Sequence, residues 1–181
     1  METTGLRAGQ FPMVRFSQGN SICSGFAVAA EGGKAVIVTA NHCRSFGSPT
    51  VDFFTAEGKR SHTATGSVKR WNRQCDQCVV LVEAPFLAGF DLRSKCRTSP
   101  AVVGEKIAIV GFVHGTHYQR FEGTVIEVGR TTTIVQAWVE SGQSGGIAID
   151  AEGKAIGSII GFNGRKNRVI VSNFSNLLKD W

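Results

Sequence analysis

Long apolar runs are missing from these 181 residues. None reaches the ~18 residues of a membrane-spanning helix, so no such span is expected. The first ten residues carry no apolar signal segment. A basic stripe interleaved with aromatics is missing too. The net charge is only +6, and clusters such as Lys69-Arg70 and Arg165-Lys166 fall in polar stretches near turn residues, so no nucleic-acid partner is expected. Internal repeats strong enough to indicate duplication are absent. Helical patterning is scarce: one convincing helix remains, at the very end, with Asn173 or Ser175 as its cap and Asn176 to Trp181 following.

What remains is β patterning. Hydrophobic residues make up 42% and charged residues 19%, the balance of a folded domain with a sizeable core. Apolar or alternating runs recur at Phe11–Phe16, Ile22–Ala30, Ala35–Ala40, Val51–Phe54, Val79–Glu83, Lys106–Val113, Phe121–Val128, Thr132–Val139, Ile147–Asp150, Ala155–Phe162 and Arg168–Ser172. Glu31-Gly32-Gly33, Ala56-Glu57-Gly58, Glu152-Gly153 and Asn163-Gly164 punctuate them, the last being the strongest short hairpin signal. The least strand-like stretch, 84 to 105, holds Pro85, Gly89, Pro100 and Gly104. So many short strands would leave exposed edges unless they closed, so we expect two β-barrels joined by a linker. The expected organisation is an N-terminal extension over residues 1–10 and one domain over 11–181. Within it, barrel one covers about 11–84, the linker 85–105 and barrel two about 106–181.

One stretch suggests chemistry: Glu140-Ser141-Gly142-Gln143-Ser144-Gly145-Gly146. Glycines around a serine between two strands allow a sharp turn that lifts Ser144 Oγ into the open. The same turn can aim the Gly142 and Ser144 N–H groups at one point, a setting for an oxyanion. A serine hydroxyl needs a base. His42 follows the apolar run Ala35–Ala40 where the chain leaves its strand, whereas His62, His114 and His117 sit in polar or loop-like stretches. The carboxylate that should orient the base is assigned to Asp76, just before Val79-Val80-Leu81-Val82. Asp52, alternating with Val51 and Phe53 as on a solvent face, and Asp91, in the linker, compete with it.

Thr39-Ala40-Asn41-His42-Cys43, Asp76-Gln77-Cys78-Val79-Val80-Leu81 and Gly142-Gln143-Ser144-Gly145-Gly146 together resemble the chymotrypsin-like serine peptidase family in its chain order His, Asp, Ser. Cys23-Ser24-Gly25-Phe26 and the terminal helix extend the resemblance over nearly the whole chain. It implies an all-β fold: two antiparallel six-stranded barrels with the active site between them, and a short C-terminal helix. It also implies an endopeptidase working through an acyl-enzyme, with His42 as base, Asp76 as orienting acid, Ser144 as nucleophile, and no cofactor. By family position the substrate pocket would be built from Trp138, Val139, Glu140, Ser141, Ile159, Ile160, Gly161 and Phe162. No carboxylate lies on its strand segment, which points to an apolar or aromatic residue before the scissile bond.

The departures carry information. Gln143 stands where secreted digestive members have an aspartate, so zymogen activation through that salt bridge is not expected. The spacings are short, 34 residues from His42 to Asp76 and 68 from Asp76 to Ser144. These features look more like the polyprotein-processing peptidases of positive-strand RNA viruses, which would work in the host cytoplasm on polypeptide substrates, their own polyprotein included. Trp181 would then match the tryptophan that ends alphavirus capsid peptidases; its plainer reading is packing of the terminal helix. A bacterial Htr-like peptidase and a catalytically silent peptide-binding module of the same fold are the alternatives. Cys23 and Cys43 match positions bridged in secreted relatives and would stay thiols in a reducing compartment. Cys75, Cys78 and Cys96 have the spacing of half a zinc site without an evident fourth ligand, so no metal is expected.

Overall fold

The computed structural model describes residues 6–46, 48–113, 117–138 and 144–174. Barrel one is built from β2 (Phe11–Gln18), β3 (Ser21–Glu31), β4 (Lys34–Ala40), β5 (Thr50–Phe54), β6 (Arg60–Asn72) and β7 (Gln77–Glu83). They pair in the order β2-β3-β4-β7-β6-β5, and β5 closes back on β2. A short β1 (Arg7–Ala8) pairs with β2 from outside this ring. Barrel two contains β8 (Lys106–Val113), β9 (His117–Val128), β10 (Thr132–Gln136), β11 (Ile147–Asp150), β12 (Ala155–Asn163) and β13 (Arg168–Asn173). It closes in the order β10-β13-β12-β11-β8-β9. Every strand pair is antiparallel. The fold is therefore the all-β pair of six-stranded barrels that the sequence implies. The terminal helix lies outside the described residues.

Three apolar cores explain which strands read clearly in the sequence. Ala35, Ile37, Val51, Phe53 and Val80 fill barrel one. Ile107, Ile109, Val125, Val135 and Val169 fill barrel two. A third core lies between the barrels, where Phe11, Phe26, Val38 and Val79 meet Val110, Phe112, Ile147 and Phe174. Phe26 and Phe174 pack edge to face at 5.8 Å there. Strands β3, β4 and β8 are buried on both faces, one toward their own barrel and one toward its partner, which is why they read as near-continuous apolar runs.

Strand β6 is the opposite case. It is the longest strand, at 13 residues, yet among its residues only Gly66 is fully buried. Its polar sequence carries no core pattern, so sequence reading passes over it and puts His62 in a turn. Instead, His62 lies on β6, hydrogen-bonds through Nε2 to the Glu83 carbonyl at 3.0 Å, and packs against Phe53 and Phe86. The Asn163-Gly164 signal does mark a hairpin, but with a four-residue loop. Asn163 pairs with Arg168, Asn167 takes a positive φ of 52°, and Asn163 Oδ1 accepts from the Arg165 and Lys166 amides.

Candidate active site

His42 lies just past β4, in a single 3-10 stretch over Asn41–Phe46. Asp76 ends the turn between β6 and β7. Its backbone is left-handed, with φ of 50°, a conformation that aspartate tolerates better than most residues. Three hydrogen bonds hold Asp76 against the Asn41-His42 segment. Asn41 N donates to the Asp76 carbonyl at 2.9 Å. His42 N donates to Asp76 Oδ1 and His42 Nδ1 donates to Asp76 Oδ2, each at 2.8 Å. A carboxylate can only accept, so the Nδ1 proton is fixed and the other ring nitrogen of a neutral imidazole is left as an acceptor. His42 is half exposed, its side chain at 48%, while that of Asp76 is at 26%.

The serine turn is anchored on both barrels. Ser24 N donates to the Ser144 carbonyl at 2.7 Å, and Gly145 N donates to the Ile159 carbonyl at 2.7 Å. Gly145 has φ of 83°, and a Cβ there would sit 1.9 Å from the Ser24 carbonyl oxygen and 2.2 Å from Thr39 Oγ1. No side chain fits. Thr39 Oγ1 donates to the same Ser24 carbonyl at 2.8 Å, and Ser24 Oγ accepts from Phe112 N on β8 at 2.8 Å. The serine turn is thus pressed against the end of β4, three residues before His42. Gly142, Gln143, Val139, Glu140 and Ser141 lie outside the described residues, as do His114 and Trp181.

The other acid candidates are otherwise engaged. The expectation that Asp52 faces solvent is overturned: it is 1% exposed. Its two cross-strand neighbours cover it, Arg15 on β2 at 3.0 Å and Thr63 on β6 at 2.8 Å. Arg15 also lies 5.0 Å over the Phe54 ring. Asp91 accepts from Arg93 N in the inter-barrel connection.

Of the pocket positions, Trp138 and Phe162 are exposed at 64% and 43%. Ile160 is half-buried against the barrel-one core, with Gly161 beside it. Ile159 meets the serine turn through its backbone, which holds Gly145 and Gly146, while its side chain is 2% exposed inside barrel two. The strand's alternation sends Ile159 inward and Ile160 outward.

Cys23 and Cys43 are joined by a disulfide directly behind His42. Their sulfurs and a His42 ring nitrogen lie within 4.8 Å of one another, the one metal-like cluster among the described residues. The sulfurs are already spent on each other. Cys75, Cys78 and Cys96 are buried, lie outside any disulfide and form no such cluster among the described residues. Burial, with Asp91 nearby, pushes the Cys96 thiol up to about 12, so it is not a thiolate near neutrality. A cavity of about 300 Å³ lined by Ala101, Val128, Thr133 and Asn173 contains none of the three triad candidates.

The site therefore has a histidine oriented by an aspartate and, docked on the adjoining strand ends, a serine turn spanning two barrels. The chain matches the family model of the trypsin-like peptidase domain over residues 23–157 and belongs to that family. Its fold is similar to that of solved proteases. The active form of the Rv3671c protease from M. tuberculosis has a TM-score of 0.73 at 18% identity, covering 93% of this chain and 78% of that one. Deg5 gives 0.71 at 20%, covering 93% and 86%. The MamO protease domain from Magnetospirillum magneticum gives 0.72 at 17%, covering 94% and 95%. Comparison with curated protein sequences found no match.

Proposed function

We propose that the protein is a serine endopeptidase in which Ser144 attacks the scissile carbonyl, His42 takes its proton and Asp76 orients the imidazole. The observation that carries this is the double hold of Asp76 on His42, through Nδ1 and through the backbone amide, each at 2.8 Å. It fixes the tautomer whose Nε2 can accept the serine proton, and it stabilises the imidazolium formed in the transition state. The Gly142 and Ser144 amides would receive the oxyanion, a contribution of about 10²–10³ in rate for one such donor. Trp138 and Phe162 supply exposed aromatic surface for an apolar residue before the cut bond. A bacterial Htr-like role is favoured over polyprotein processing, because the similar solved structures named for their source are proteases of M. tuberculosis and Magnetospirillum magneticum. The polyprotein reading rests on Gln143 and the short triad spacings.

A fluorophosphonate probe tests the chemistry. Labelling that disappears in Ser144→Ala supports the peptidase. Folded protein that never labels would mark a silent peptide-binding module. Mass spectrometry of products from a peptide library then reads the specificity, and cleavage after Lys or Arg alone would overturn the apolar pocket.

A further inference from the structure

We propose that Gln77, next to Asp76, is a positioning residue: a polar latch from barrel one to the last strand of barrel two that sets where the acid points. The inference rests on the peptidase reading above. Gln77 opens β7 and is 0% exposed. Its side chain crosses the inter-barrel boundary. Nε2 donates to the Ser172 carbonyl at 2.9 Å and to the Asn173 carbonyl at 3.2 Å, with Ser158 Oγ at 3.5 Å. On the other side of Asp76, the Cys75 carbonyl accepts from Ser172 Oγ. The acid is therefore bracketed: the residues before and after it are both tied to β13, while its carboxylate is tied to His42.

This arrangement is not what stability alone would select. Among the described residues, Gln77 Oε1 is buried with no hydrogen-bond partner. A half-satisfied buried amide costs free energy that an apolar side chain of similar length would avoid. What an apolar side chain cannot supply is direction. Greasy packing lets the hairpin end slide, whereas donation to two successive carbonyls fixes its rotation as well as its distance. Asp76 needs that restraint because its backbone is left-handed, with φ of 50°, and the turn could relax by swinging the carboxylate off His42. Displacements of about 1 Å in such supporting parts can cost about 100-fold in rate.

Gln77→Met separates direction from packing, since it keeps length and loses both donors. In the full chain, kcat should fall about 10- to 100-fold with KM and the melting temperature nearly unchanged. The His42 ring nitrogens, read by NMR of 15N-histidine protein, should change from one tautomer with the proton on Nδ1 to a mixture. Ser172→Ala, which removes the second tie, should show the same pattern and substitutes for Gln77→Met if that variant does not fold. The proposal is overturned if the variant keeps wild-type kcat and a single tautomer, or if kcat falls only as far as the folded fraction does. Wild-type protein without Ser144-dependent turnover would sink the peptidase reading instead; the tautomer measurement would still decide the latch.

Discussion

Barrel one offers two aspartates in contrasting settings. Asp52 lies mid-strand in a flat row of cross-strand partners, with Arg15 on one side and Thr63 on the other, and is shut away from water. Asp76 lies at a hairpin end with a left-handed backbone, and both its oxygens face one histidine. A carboxylate paired with a permanent cation and a hydroxyl can only hold strands together. Paired with a half-exposed imidazole, it can stabilise the positive charge when that imidazole takes up a proton. The partner and the position define the role, not the residue type.

The largest effect should follow from breaking the Asp76 side of this contrast. Asp76→Asn should lower kcat about 10⁴-fold by favouring the wrong imidazole tautomer, with folding intact by circular dichroism and melting. A loss under tenfold would remove Asp76 from the role assigned to it. Gly145→Ala should come next, because its methyl must displace the Ser24 carbonyl. Both labelling by the fluorophosphonate and the melting temperature should drop, and unaltered labelling would contradict the close docking of the serine turn.

Asp52→Ala should sharpen the contrast from the other side. It leaves the Arg15 guanidinium without its carboxylate in a largely buried place. Stability to urea should fall by about 1–3 kcal/mol, while kcat per folded molecule changes little. If Asp52→Ala proved the more damaging to turnover with both variants folded, the acid assignment would be wrong.

The smallest effect concerns a third carboxylate, outside barrel one. Arg97 holds Glu105 at 2.5 Å and also reaches Asp150 at 3.3 Å. The Arg97 hydrogen bond keeps the Glu105 carboxyl below its ordinary value. A lowered folded-state value means this pair's stabilisation is fully present above the ordinary glutamate value of about 4.3 and is lost as pH falls through the lowered one. Glu105→Gln should therefore flatten the acid limb of stability below about pH 4.3. An acid limb with wild-type slope would show that the pair contributes nothing measurable.

Sequence alone determined the class of fold and the candidate chemistry. The strands buried on both faces announce themselves as apolar runs, and His42, Asp76 and Ser144 occur in segments whose local residue choice is distinctive. The tertiary structure decided what local pattern cannot encode. Strand β6 is a strand because β5 and β7 pair with it, not because its own polar residues require it. Asp52 is buried because two residues distant in sequence close over it, and Ile159 is core because β12 turns that side chain inward. Gln77 reads as one polar residue at the edge of a strand until the second barrel supplies the Ser172 and Asn173 carbonyls, about a hundred residues away. Periodicity reports which face of a strand meets its own core. It carries no information about which polar groups another part of the chain will bring within 3 Å, and that is how the site acquires its geometry.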